Sequence, residues 1–227
     1  MSRPVVERVY AVFRRYPLGK VDGCPCCVDP EEVAALRARG LGDHDERTLG
    51  RYYRKSMSTW GTEEDFKHFL PRILELLVTK APDFAIEIGL DSLPHKLVQA
   101  GWRQWPEEER AAVREVLLGA WRELVAAPEG TGDLVAMIEA QLWVIDAEAL
   151  IAVWEEHLAT TPGWRRVAEA LIELAPRVVA GDDGVAAGLR TLRAWLLAQV
   201  TRLEAAFEAD PNDRIAEAVD MASFFPD

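Results

Sequence analysis

The sequence lacks any long hydrophobic run, and nowhere among its 227 residues do eighteen apolar residues follow one another. A transmembrane helix needs about 20 such residues, so we expect none. The first ten residues contain Arg3, Glu7 and Arg8, which interrupt the apolar core that a secretory signal peptide requires. We therefore expect a cytoplasmic protein.

The familiar catalytic motifs are also missing. The chain has no phosphate-binding loop, no dinucleotide-binding glycine pattern, no Gly-x-Ser-x-Gly elbow and no His-Glu-x-x-His. The Glu-x-x-His pairs of a di-iron bundle do not occur either. A non-enzymatic protein is therefore the first hypothesis.

Positive charge is scarce, with 26 Lys and Arg residues against 38 Asp and Glu, a net charge of −12. Such a chain is not expected to bind nucleic acid or anionic membranes. The excess of acidic residues is confined to one part of the chain. Residues 1–80 carry 14 basic and 12 acidic residues, whereas residues 81–227 carry 12 basic and 26 acidic residues. The basic residues that share one predicted helix face in the first part are Arg47, Arg51, Arg54 and Lys55. We interpret this face as solvated, with binding of an anion or a nucleic acid as the alternative.

Strand signals are nearly absent, and helical spacing of apolar residues recurs along the chain. The composition, 49% hydrophobic and 28% charged, is typical of a globular protein. We predict one all-α domain over residues 1–227, either an irregular multi-helix bundle or a short stack of helix pairs resembling an α-solenoid. Residues 1–80 would form a cysteine-bearing part and residues 81–227 an acidic helical body.

Several helix boundaries can be predicted from local chemistry. Asp29 followed by Pro30 is typical of a capped helix start. The segment from Thr62 to Asp65 resembles a capping box, with Asp in place of the usual Glu or Gln. Pro71 falls inside the helix that follows, and it should kink that helix or divide it in two.

All three cysteines of the chain lie in the segment Gly23-Cys24-Pro25-Cys26-Cys27. In a cytosolic protein such a cluster indicates metal ligation or redox chemistry before a structural disulfide. Cys24 and Cys27 have the spacing at which two thiolates bind one zinc ion. A four-ligand site would also need Cys26 and a histidine. We favour His68 over His44, because a helix sets the direction of His68.

A polar stripe accompanies that histidine on the same helix. Asp65, His68 and Arg72 follow one another at spacings of three and four residues. Asp65 is expected to orient His68, or the three residues are the acid, base and anion anchor of a hydrolase. A thiol oxidoreductase using Cys24 and Cys27 is a further alternative. The simplest interpretation of the stripe is a solvated face with a local ion pair.

Four motifs, in this order, resemble those of a family of bacterial proteins to which no activity is assigned. They are Gly-Cys-Pro-Cys-Cys at 23–27, Lys-Ser-Met-Ser-Thr-Trp-Gly at 55–61, Asp-Phe-Lys-His-Phe-Leu-Pro-Arg at 65–72 and Ala-Gly-Trp-Arg-Gln-Trp-Pro at 100–106. The resemblance covers about residues 10–125 and implies a soluble bacterial protein. It also implies that the motif residues Cys24, Cys26, Cys27, Trp60, Asp65, His68 and Arg72 belong to one site. Small zinc-ribbon proteins share only the first motif.

The sequence thus predicts a helical, non-enzymatic protein that binds another protein, and we expect contact with neither membranes nor nucleic acid. Its first part would carry a zinc ion held by Cys24, Cys26, Cys27 and His68. The residues expected beside this centre are Asp65, Arg72 and Trp60.

Overall fold

The protein is all-α, as the sequence predicts. The computed structural model describes residues 3–79, 91–127, 134–158, 161–177, 179–181, 183–209 and 211–224. These residues form twelve α-helices and no β-strand, with two isolated backbone bridges that end at Trp60. None of the helices in these ranges combines the length and the apolar character needed to span a bilayer.

The chain divides into two compact units, Met1–Leu117 and Leu118–Asp227. Whether residues 1–227 act as one domain stays a prediction. The helices are α1 (Arg3–Phe13), α2 (Pro30–Arg37), α3 (Glu46–Lys55), α4 (Glu63–Thr79), α5 (Leu93–Gln99), α6 (Glu107–Ala126), α7 (Leu134–Gln141), α8 (Ala147–His157), α9 (Thr161–Leu174), α10 (Gly184–Leu197), α11 (Val200–Ala209) and α12 (Asp213–Ala222). Short 3-10 turns cover Leu41–Asp43 and Trp102–Gln104.

Both predicted helix starts in the first unit are confirmed. The Asp29 side chain accepts a hydrogen bond from Glu31 N at 2.9 Å, and Glu32 accepts one from Asp29 N at 3.3 Å. Before α4, Thr62 Oγ1 accepts from Asp65 N at 3.2 Å, and Asp65 Oδ2 accepts from Thr62 N at 2.9 Å. Each pair satisfies backbone N–H groups that a helix start leaves without partners.

Of the two outcomes predicted for Pro71, a kink or a division of the helix, the division does not occur, because α4 runs without a break from Glu63 to Thr79. A proline inside a helix costs about 3 kcal/mol, since it removes one hydrogen bond and crowds the preceding turn. Packing offsets this cost. The fully buried side chains of α4 lie on both sides of the proline and are Phe66, Phe69, Leu70, Ile73, Leu74 and Leu76.

In the first unit, α4 packs against α1 and α3. Tyr52 of α3 lies on Phe69 of α4, with ring centroids 4.7 Å apart, and on Trp60 at 5.5 Å. All three rings are at least 98% buried. This aromatic cluster fixes segment 55–61, which follows α3, against the core of the unit.

In the second unit, α9 is the central helix and packs against α7, α8, α10, α11 and α12. In a solenoid each repeat contacts only its neighbours, so this arrangement is a bundle around one helix. Trp154 stacks on Trp195 at 5.5 Å and meets Trp121 edge-on at 5.0 Å. Tryptophan here fills the core of the bundle.

Candidate metal centre

The three cysteines lie on one tight turn between α1 and α2, which we call the thiol turn. The amides of Cys27 and Val28 both donate to Cys24 O at 2.9 Å. Cys26 Sγ lies 2.9 Å from Cys24 Sγ and 3.4 Å from Cys27 Sγ. All three sulfur atoms lie within 4.8 Å of one another. The turn therefore gathers three thiols at one point.

A second segment, residues 55–61, supports this turn. Cys24 N donates to Thr59 O at 2.7 Å, and Gly61 N donates to Asp22 O at 2.9 Å. The Lys55 ammonium group donates to Cys27 O at 2.7 Å. These bonds join segments more than 25 residues apart in sequence, so the position of the thiols depends on tertiary contacts.

The backbone at this contact adopts conformations that are rare for residues other than glycine. Val21 has φ of 51° and Met57 has φ of 59°. A positive φ is especially unfavourable for a β-branched residue and persists only where surrounding contacts enforce it. Val21 is 99% buried, and its carbonyl accepts from Trp60 Nε1 at 3.2 Å. The local strain is therefore held in place by the buried Trp60 side chain.

Gly23 is required for close packing within the turn. A Cβ atom at this position would lie 2.7 Å from Val28 Cβ, well inside contact distance. Gly23 also forms the antiparallel bridge to Trp60. The glycine of the Gly-Cys-Pro-Cys-Cys motif thus allows the thiol turn to close against segment 55–61.

The thiols influence one another's acidity. The hydrogen bond from Cys26 lowers the pKa of Cys24, and the same contact raises the pKa of Cys26 to about 11. Cys26 and Cys27 are exposed and Cys24 is half-buried. A thiol that ionises readily beside two further thiols is suited to bind a thiophilic cation, since the thiolate is the metal ligand.

The spacing of the sulfur atoms is compatible with a metal ion. With zinc–sulfur bonds of about 2.3 Å at tetrahedral angles, sulfur atoms lie about 3.8 Å apart. The observed separations of 2.9 and 3.4 Å are shorter. Cys26 and Cys27 are exposed, so rotation about their side-chain bonds would widen these separations. The three cysteines can therefore hold a metal ion.

His68 and Asp65 have other partners. His68 Nδ1 lies 2.8 Å from Tyr16 O, within hydrogen-bond distance. Asp65 is 96% buried and bonds with Thr62. Within the described ranges, the group of ligand atoms closer than 4.8 Å to one another contains the three sulfurs and does not include His68. His68 as fourth ligand, oriented by Asp65, stays a prediction.

The remaining predicted site residues fall in separate places. Arg72 donates to His44 O at 2.9 Å and pairs with Glu75 at 2.6 Å. Trp60 does lie behind the thiol turn, as described above. Asp65, His68 and Arg72 therefore bond with different partners rather than with one another. His44, the alternative histidine, is 99% buried with its ring edge-on to Phe69 at 5.4 Å.

The predicted basic face is partly neutralised. Arg51 and Lys55 both pair with Glu32 of α2. Lys55 also belongs to the thiol turn through its bond to Cys27 O, a role that sequence reasoning missed. The only sequence signal for it was its place at the start of the Lys-Ser-Met-Ser-Thr-Trp-Gly motif.

Comparison of the chain with protein-family models, with curated proteins and with solved structures finds no match. The resemblance to a bacterial family stays a prediction. Function is accordingly inferred from the geometry of the thiol turn.

Proposed function

We propose that this is a zinc-binding helical protein in which Cys24, Cys26 and Cys27 ligate the ion. The observation that carries the proposal is the grouping of three sulfur atoms within 4.8 Å on a turn held by segment 55–61. Zinc accepts thiolate ligands in tetrahedral sites and needs no redox partner. Bound zinc would fasten the turn that precedes α2 and so stabilise the first unit.

The test is elemental analysis of protein purified without a metal-affinity tag. We expect about one zinc per chain, and none in the variant with Cys24, Cys26 and Cys27 all replaced by serine. The variant Ser58→Ala, in the neighbouring segment, is the matched control and should keep its zinc. Three titratable free thiols and no metal in the native protein would refute the zinc centre.

We further propose that the helical protein acts by binding a partner rather than by catalysis. The charge of residues 81–227, with 12 basic against 26 acidic residues, supports a partner with a basic surface. Such association weakens as salt rises, because counterions screen both surfaces. Size-exclusion chromatography of the protein from the cells that produce it should reveal a larger complex that dissociates at high salt. Elution as the free chain at every salt concentration would contradict this.

A thiol oxidoreductase is the second candidate, favoured by the 2.9 Å approach of Cys24 Sγ and Cys26 Sγ. In exchange with a disulfide substrate, two cysteine thiols would become a disulfide as the substrate takes up both electrons and both protons. Labelling of the native protein with iodoacetamide across pH tests it. One thiol reacting well below its ordinary pKa of about 8.5 supports the exchange activity. Uniformly slow labelling would exclude it.

A further inference from the structure

The proposed metal centre lies at the protein surface. Cys26 and Cys27 are exposed and Cys24 is half-buried, so an ion bound by their sulfur atoms would be reachable from solvent. The backbone on the protein side of the turn is occupied, because Cys24 N bonds to Thr59 O and Cys27 O accepts from Lys55 Nζ.

The carboxylates at the start of the neighbouring helix α2 are already engaged. Asp29 caps α2, accepting from Glu31 N at 2.9 Å. Glu32 pairs with Arg51 and Lys55, and His68 Nδ1 lies 2.8 Å from Tyr16 O. To reach the turn, Asp29 and Glu32 would have to give up these bonds. His68 uses only Nδ1 in its bond, but among the described residues it does not belong to the group of ligand atoms within 4.8 Å of one another, which consists of the three sulfurs. A tetrahedral ion therefore finds three ligands on this turn and room for one from outside.

We propose that the fourth coordination position of the metal-loaded turn is open and binds a low-molecular-weight thiol as its thiolate. This inference rests on the proposed zinc centre. A zinc site with three protein ligands binds water or a substrate in its fourth position, and zinc accepts sulfur ligands readily. The Lys55 ammonium group, 2.7 Å from Cys27 O, provides positive charge beside the anionic cluster of thiolates.

Binding is a simple ligand exchange. The metal-bound water leaves, the incoming sulfur atom takes its place, and the proton of the thiol passes to the buffer. No atom changes its oxidation state. Affinity for the thiol should accordingly rise with pH up to the pKa of that thiol.

Cobalt(II) in place of zinc makes the exchange visible. Protein loaded with one equivalent of cobalt(II) under anaerobic conditions is titrated with N-acetylcysteine, and in parallel with N-acetylserine. We expect the sulfur-to-cobalt charge-transfer absorbance to rise saturably by about a third with the thiol, because a fourth thiolate joins three. The serine analogue, which has a hydroxyl group in place of the thiol, should leave the spectrum unchanged.

The outcomes separate the two proposals. Absence of any sulfur-to-cobalt band would refute the metal centre itself. A band that forms but does not change on addition of N-acetylcysteine would overturn the open position and would still support the metal centre. The variants His68→Ala and Asp22→Asn test for a fourth ligand from within the chain. If the spectrum of either cobalt-loaded variant differs from that of the native protein before any thiol is added, the inference is overturned. The variant His95→Ala, on α5, is the control and should match the native protein.

Discussion

Two groups of ionisable side chains in the first unit differ in whether their polar atoms are exposed to solvent or paired inside the fold. The thiols of Cys24, Cys26 and Cys27 reach solvent, and the hydrogen-bond neighbours of their sulfur atoms are one another. Lys67 and Glu109 are 6% and 0% exposed and form an ion pair at 3.4 Å. The first group keeps its capacity to bind something else, whereas the second uses that capacity within the fold.

The buried pair is surrounded by further partners. Tyr16 OH donates to Glu109 Oε1 at 2.6 Å, and Arg15 lies 2.8 Å from the same oxygen. Lys67 also pairs with Glu63 at 2.9 Å and lies 4.3 Å from the centre of the Trp105 ring. Because these charged groups pair with one another inside the fold, we expect this network to have a structural role and the thiol turn to hold the proposed ion.

The largest effect is expected from breaking the buried network. Lys67→Met removes one partner of a buried pair, a change that typically costs 3–5 kcal/mol. Because Glu109 keeps Arg15, we expect a loss of about 3 kcal/mol in the free energy of unfolding, measured with urea. The exposed Lys20→Met is the control and should change stability by less than about 0.5 kcal/mol. An equal loss in the free energy of unfolding for the two variants would contradict a structural role of the network.

The contribution of the thiol turn to stability should depend on bound metal. At zinc concentrations one hundred times its dissociation constant, bound zinc should stabilise the native protein by about 2.7 kcal/mol. In calorimetry this corresponds to a rise in Tm of about 5–10 °C for a chain of this size. Cys24→Ser should match the native protein without metal and lack most of the rise with it. A rise of equal size in both proteins would contradict ligation by Cys24.

Closing the turn should depend on Gly23. In Gly23→Ala the new methyl group would meet Val28 Cβ at 2.7 Å. Relief of this overlap should cost about 1–3 kcal/mol of stability and weaken zinc binding, because the turn must shift. Gly42→Ala is the matched control, since nothing lies within 4 Å of a Cβ atom there. If both variants unfold at the same urea concentration, the close packing of the turn is unimportant.

The smallest expected effect concerns a further buried ionisable group of this unit, His44. Burial lowers the pKa of His44, helped by the positive charges of Arg39, His68 and Arg72 and opposed by Asp45. The unfolded chain therefore binds the proton more tightly. The contribution of His44 to stability is complete above about pH 6.5 and is lost as pH falls from there towards the folded-state pKa.

His44→Phe tests this by urea unfolding between pH 7.5 and 5. Relative to the native protein, the variant should gain up to about 1 kcal/mol over this range, because it has no buried group to protonate. A stability difference that is independent of pH would show that His44 does not titrate within it.

Much of the local structure followed from the sequence. Asp29 and Thr62 start helices through side chains that reach only two or three residues along the chain, and the three cysteines lie within four positions. Such features depend on short-range geometry, which sequence spacing determines directly. The all-α class followed in the same way from the helical spacing of apolar residues.

The errors and omissions concern contacts between distant segments. Pro71 stays inside one continuous helix because core packing on both sides of it outweighs a local penalty. Sequence reasoning did not foresee that His68 Nδ1 lies 2.8 Å from Tyr16 O, 52 positions away, and His68 as a ligand stays a prediction. The role of Lys55 at the thiol turn likewise required knowing that segment 55–61 lies against it.

The sequence by itself determined that the protein is helical, where several helices begin, and that its three thiols are gathered in one place. Only the tertiary structure decided what supports those thiols, which neighbouring groups are engaged elsewhere, and that α9 is the centre of the second unit. The physical reason is that capping and helical spacing act within a few residues. The positive φ of Val21, its bond to Trp60 Nε1 and the bridge between Gly23 and Trp60 belong to a contact between two segments more than 35 residues apart, which forms only when they pack together.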